Sequence, residues 1–268
     1  MPKIKVNDIN LYYEEHGEGD PIVFVTGLSA DHTTWDINIK DFSDKYHVIA
    51  VDNRGCGQSD APDYPYTIEM MTDDLAVLCK TLNLPPAHFI GVSMGGMIVQ
   101  NIAYKYPEIT KSIVVSNSAS KLNNDRCRLF CEAYLNLMIA KTPLETMVKL
   151  GMTWTFSNRF LRIPGIIEVV TKMSKDKKYP ITAIGYKNQV AANFSFDSSS
   201  WAHKINKPCL VLDSDDEMCF LREDIQALAK TIPNAQYFCF TGGIGHVPSL
   251  EDPAKFKEVV LEFIISLR

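Results

Sequence analysis

Ser93 stands between glycines in residues 89–100, "FIGVSMGGMIVQ", where an apolar run gives way to a helical pattern. A serine hydroxyl attacks a carbonyl only if a base takes its proton, and the base works only if a third group fixes its tautomer. A G-x-S-x-G match alone is weak, because glycine also punctuates ordinary turns. Its position strengthens it. A sharp strand-to-helix turn pushes the serine side chain outward, and Gly91 and Gly95 leave room for strand and helix to approach. The N–H groups opening the new helix point at the space above Ser93, where they can hold an oxyanion.

Six histidines could supply the base. His16, His47 and His88 sit on or beside apolar runs, His32 follows "VTGLS", and His203 precedes "INKP". These five read as structural or surface residues. His246 differs: it follows the glycine-rich "TGGIG" after the last apolar run and precedes the last helical stripe. That location predicts the same sheet edge as Ser93, at the carboxyl ends of parallel strands. The third group should be a carboxylate at another strand end. "VLDSDDEM" offers Asp213, Asp215, Asp216 and Glu217, of which one buried acid is enough.

These residues need a scaffold that brings distant strand ends together. Short apolar runs recur at 21–25, 47–51, 88–92, 112–116, 208–212 and 236–240, as strands covered on both faces require. Residues 11–16 are amphipathic and suit an edge or hairpin. Between the runs lie helical stripes: Ile68, Met71, Leu75, Leu78 and Leu82 after Thr67, a compact helix over 97–106 that Pro107 stops, and a final helix with Phe256, Val260 and Phe263 on one face. This alternation predicts an α/β fold with a mostly parallel sheet and helices on both sides. It breaks between about Lys121 and Trp201, which divides the chain into a core over 1–120 and 201–268 and a helical insertion over 121–200. Insertions at loop ends are placed to cover a site.

The 268 residues carry a net charge of −5, which argues against nucleic acid as a partner. The insertion is locally basic, with twelve Lys and Arg against six Asp and Glu. That reads either as a solvated face or as a segment that attracts an anionic ligand. Seven cysteines without a CxxC pair or Cys/His cluster predict a reduced, cytoplasmic protein with no metal site. No apolar run is long enough to cross a bilayer, so no membrane role is expected.

The landmarks together resemble the α/β-hydrolase superfamily, in its order and over nearly the whole chain. "DNRGCGQSDAP" is similar to its Asp-x-Arg-Gly-x-Gly-x-Ser segment, "GVSMGG" to its nucleophile elbow, and "GGIGHVPSLEDP" to its catalytic-histidine loop. The resemblance implies an eight-stranded sheet with a lid after the sixth strand, Ser93 as nucleophile and His246 as base. It implies oxyanion donors at the amides of Leu28, in "VTGLSADHTTWD", and Met94. Two departures stand out. Thr26-Gly27 replaces the usual His-Gly. The family's spacing puts the acid at Glu217, yet aspartate is commoner there and Asp216 is its neighbour.

Within the superfamily, "VVSNSASKL" and "GMIVQNIAYKYP" look most like 3-oxoadipate enol-lactonases and close carboxylesterases. The expectation is therefore a hydrolase without cofactor or metal that cleaves a small-molecule ester or lactone through an acyl-enzyme on Ser93. The basic insertion would suit a dianionic lactone. An apolar acyl pocket to which Trp154, Phe156, Phe160 and Met138 contribute is the alternative. The same fold could serve a lyase, a carbon–carbon bond hydrolase or a small-molecule receptor.

Overall fold

The computed structural model describes residues 3–267. Eight strands form one sheet: β1 (Lys3–Val6), β2 (Ile9–His16), β3 (Asp20–Val25), β4 (Tyr46–Val51), β5 (Ala87–Val92), β6 (Thr110–Ser116), β7 (Cys209–Ser214) and β8 (Gln236–Phe240). Their spatial order is β1-β2-β4-β3-β5-β6-β7-β8. The β1–β2 and β2–β4 pairs are antiparallel, and every pair from β4–β3 onward is parallel. The expected mostly parallel α/β sheet is thus present.

Eleven α-helices accompany it among the described residues: α1 (Asp36–Phe42), α2 (Ile68–Thr81), α3 (Met94–Lys105), α4 (Asp125–Ile139), α5 (Leu144–Thr155), α6 (Asn158–Leu161), α7 (Ile166–Asp176), α8 (Ala183–Ser195), α9 (Arg222–Thr231), α10 (Pro248–Glu251) and α11 (Pro253–Ser266). Alternation along β3 sorts the core into two layers. Val23 and Val25 pack with α2 and α3 on one face, and Ile22 and Phe24 pack with α1 and α11 on the other.

Local chemistry explains where the helices begin. The Thr67 hydroxyl accepts from the Met70 amide (3.1 Å) and caps α2, whose stripe of Ile68, Met71, Leu75 and Leu78 is buried. Each such side chain contributes about 1.5–3 kcal/mol by leaving water. Asp252 caps α11, and Pro253 opens it where a missing N–H costs nothing. Helix α3 starts three residues earlier than the apolar spacing predicts, directly after Ser93. The run at 236–240 also departs from expectation: β8 is an edge strand, and Gln236 and Tyr237 are exposed.

Helices α4 to α8 all lie between β6 and β7. Eleven of the twelve basic side chains in 121–200 are exposed, and the twelfth, Lys177, is half-buried. The local positive charge is therefore a solvated face.

Candidate active site

β5 ends at Val92 and α3 begins at Met94, so Ser93 alone makes the turn, with φ 57° and ψ −120°. Few non-glycine residues occupy that region, and it persists only where surroundings enforce it. Two close backbone approaches do so. A Cβ on Gly91 would lie 2.2 Å from the Gly95 carbonyl oxygen, and one on Gly95 would lie 2.2 Å from that of Val25. The Ser93 amide also donates to the Ser116 carbonyl (2.9 Å), tying the turn to the end of β6.

Ser93 and His246 line one cavity of about 630 Å³. Among the described residues the Ser93 hydroxyl makes no hydrogen bond, to His246 or to any other group. Contacts of this type often tighten only when substrate binds. Gly27 lies directly beside the serine: a Cβ on it would be 3.1 Å from Ser93 Cβ. The following amide, Leu28, and the Met94 amide have no acceptor among the described residues. Met94 directly follows the serine in the chain, and Leu28 directly follows Gly27.

The four acids after β7 separate by partner. Glu217 reaches His246 Nδ1 with both oxygens, at 2.9 and 2.8 Å. Its Oε1 also accepts from the Cys219 and Phe220 amides. Asp216 makes no side-chain contact with the ring; its amide donates to the Ile244 carbonyl (2.9 Å). Asp213 is buried, accepts from the Tyr237 hydroxyl (2.6 Å) and pairs with Arg222; burial pushes its carboxyl above the usual range. Burial also pushes the Asp215 carboxyl up, but donation from the Ile244, Gly243 and Gly242 amides outweighs it and holds the group below its ordinary value.

The loop carrying His246 is held from three directions. Asn117 Nδ2, at the end of β6, donates to the Ser214 hydroxyl (3.0 Å) and to the Gly245 (3.1 Å) and His246 (2.9 Å) carbonyls. The His246 amide donates to the Thr155 carbonyl in α5 (3.1 Å). Glu251 accepts from the Gly245 amide (3.1 Å) and from the Ser157 amide (2.9 Å) and hydroxyl (2.5 Å). Both links to residues 155 and 157 join the helical insertion to the histidine loop.

The loop after β3 is held in the same manner. Asn53 Nδ2 donates to the Thr26 carbonyl (3.0 Å) and hydroxyl (3.2 Å), so Thr26 is fully buried and paired despite the departure from His-Gly. Gln189, from α8, accepts from the Ser29 amide and donates to the Arg54 carbonyl, each at 2.9 Å. The Asp52-x-Arg54 segment is a brace rather than part of the cavity. Asp52 accepts from His32 Nδ1 (2.7 Å) and the Gln58 amide (2.8 Å), and Arg54 grips Asp74 through Nε (2.6 Å) and Nη2 (2.8 Å). Burial opposes a charge on His32, but the Asp52 bond and charge prevail and raise its affinity for a proton. His88 bonds the Ser112 hydroxyl (2.7 Å), and His203 is exposed.

The cavity wall is mainly apolar, with Phe130, Trp154, Phe156, Phe160, Val170 and Met173 on the insertion side. Met138, expected there, does not line it. Among the described residues Lys177 is the one Lys or Arg in the wall, and its Nζ is 2.9 Å from Asp31. Asn117, Gln189 and Glu251 carry no sequence signature, because each acts largely through main-chain partners, most of them far away in the chain.

A family model described as "alpha/beta hydrolase fold" matches residues 20–253, and the chain belongs to that family. A curated relative, 3-oxoadipate enol-lactonase 2 of Acinetobacter baylyi, is 28% identical over 259 residues, covering 96% of this chain and 94% of the relative. Among solved structures, an enol-lactonase from Burkholderia xenovorans superposes with a TM-score of 0.87 at 23% identity, covering 98% of this chain and all of that one. A thermophilic esterase from Thermogutta terrifontis superposes with a TM-score of 0.84, also at 23% identity, covering 100% and 99% of the two chains. At those identities the two structures bear on the fold alone. No helix among the described residues is long and apolar enough to cross a membrane.

Proposed function

We propose that the chain is a cofactor-free serine hydrolase that cleaves neutral carboxylic esters or lactones with an apolar acyl part. The observation that carries this reading is a serine in a strained turn sharing a cavity with an imidazole whose Nδ1 is held by Glu217. With Nδ1–H donated to the carboxylate, Nε2 carries the lone pair and acts as base. Ser93 Oγ attacks the carbonyl as His246 takes its proton, and the Leu28 and Met94 amides hold the oxyanion. His246 next protonates the leaving alkoxide, then activates water to release the acyl group. Helices α4 to α8 act as the lid, which supplies most of the apolar wall.

The curated relative named as a 3-oxoadipate enol-lactonase favours a lactone as one substrate form. The wall favours a neutral molecule, because its single lysine is already paired with Asp31. The test is hydrolysis of p-nitrophenyl esters of graded chain length beside neutral and carboxylated lactones, each repeated with Ser93→Ala. Preference for medium acyl chains over acetate, abolished by Ser93→Ala, supports the reading. Unchanged turnover in Ser93→Ala rejects the nucleophile. A preference for the carboxylated lactone rejects the neutral substrate. Negligible turnover on every ester and lactone favours a lyase or a receptor with this fold.

A further inference from the structure

Asn193, on α8, lines the same cavity as Ser93 and His246. Among the serine, threonine, asparagine, histidine and lysine residues of the wall, these three are the buried ones. The mechanism uses the serine and the histidine and leaves the asparagine idle. Its Oδ1 is enclosed without a hydrogen-bond partner, and its Nδ2 makes no bond among the described residues. Other polar side chains of the wall are spent locally. The Thr155 hydroxyl donates to the Gly151 carbonyl (3.1 Å), the Ser174 hydroxyl to the Val170 carbonyl (2.9 Å), and Lys177 pairs with Asp31.

Helix α8 holds Asn193 firmly. Gly185, Gln189 and Asn193 recur every four residues, so they share one face, and all three are buried. That face is clamped to the core. A Cβ on Gly185 would lie 1.9 Å from the Gly55 carbonyl oxygen, and Gln189 bonds the Ser29 amide and the Arg54 carbonyl. An enclosed amide with neither end paired destabilises the fold. In a mainly apolar wall it is also a point of recognition, since a few placed polar groups fix a ligand's orientation.

We propose that Asn193 is a specificity-determining residue that hydrogen-bonds a hydroxyl on the otherwise apolar acyl part of the substrate. Half a turn about the terminal bond of Asn193 exchanges Oδ1 and Nδ2 with no bond lost. A hydroxyl pairs with either end, donating to Oδ1 or accepting from Nδ2, whereas a carbonyl or carboxylate only accepts. A carboxylate would also bring a charge that this wall does not match. An acyl chain without the hydroxyl leaves the amide unpaired, which is the source of discrimination. The ligand class rests on the hydrolase reading above and narrows it; the unpaired amide itself does not.

The experiment measures binding by calorimetry to full-length Ser93→Ala, which keeps the cavity and lacks the nucleophile. The probes are methyl octanoate and its isomers hydroxylated at carbon 2, 3, 6, 7 or 8; those at 4 and 5 cyclise and are left out. At least one isomer should bind about tenfold more tightly than methyl octanoate. Asn193→Leu in the same background removes both polar ends, and Asn193→Ala does so without adding bulk; each should reverse the preference. Folding of both is checked by near-ultraviolet circular dichroism. No preferred isomer, or a preference that survives in Asn193→Leu and Asn193→Ala, overturns the assignment and leaves the hydrolase reading untouched. An Asn193-dependent preference in a protein that hydrolyses no ester supports the recognition role and counts against the hydrolase reading alone.

Discussion

Replacing Glu217 by glutamine tests the orienting role with almost no change of shape. The carboxylate is asymmetric in its partners. Oε1 accepts from two main-chain amides, Cys219 and Phe220, and from His246, whereas Oε2 faces His246 Nδ1 alone at 2.8 Å. In Glu217→Gln the side-chain carbonyl must take the Oε1 position, because an NH₂ there would confront two N–H donors. The NH₂ group then occupies the Oε2 position and donates to Nδ1. A neutral imidazole that accepts at Nδ1 carries its proton on Nε2, the nitrogen that should receive the serine proton. The base is thus present and misprotonated. Where an analogous change has been made in a serine protease triad, kcat falls about 10⁴-fold, which corresponds to about 5 kcal/mol of transition-state stabilisation. Steady-state hydrolysis of a p-nitrophenyl ester measures it. Glu217→Gln should lose kcat on that scale with KM little changed, and Asp216→Asn should stay close to wild type. A Glu217→Gln rate within about tenfold of wild type, or an equal loss in Asp216→Asn, would refute the tautomer argument.

Three further outcomes follow from the scaffold around the site. Gly95→Ala places a Cβ 2.2 Å from the Val25 oxygen and 2.8 Å from that of Thr26, and should destabilise by at least about 1–3 kcal/mol, read as a thermal midpoint lower by several degrees. An unchanged midpoint would mean that β3 does not constrain the elbow. Asn117→Ala removes the donor shared by the Gly245 and His246 carbonyls and should cost about 1–3 kcal/mol in urea unfolding, together with slower hydrolysis. Asp215 has a folded-state carboxyl below its unfolded value, so its stabilisation is full above the ordinary carboxylate range and fades as pH falls through the folded value. Asp215→Asn should therefore lower the urea midpoint more at pH 7 than in acid below the ordinary carboxylate range; equal losses at both would contradict the loop-anchoring role.

Much of this architecture was legible because it is periodic or local. The α2 stripe repeats every three or four residues, and the elbow is a contiguous strand, turn and helix. The edge status of β8 was not legible, since "QYFCF" reads as apolar whichever position its strand takes in the sheet. The choice between Glu217 and Asp216 turned on one residue of loop geometry, which composition cannot resolve. The charge of the insertion left two readings open, a solvated face or an anionic ligand, and the exposure of eleven of its twelve basic side chains favours the solvated face. Met138 and Trp154 looked equivalent as candidate wall residues, and only Trp154 lines the cavity. Asn117, Gln189 and Glu251 hold the two site loops through main-chain partners that are six to 160 residues away.

The most direct test is stoichiometric labelling with a p-nitrophenyl phosphonate ester, followed by peptide mass mapping. The account predicts one phosphonyl group per chain on the peptide that carries Ser93, formed with release of one p-nitrophenolate and slowed by orders of magnitude in His246→Gln. Label on another residue, or an unlabelled Ser93 in protein that still turns over an ester, would contradict it.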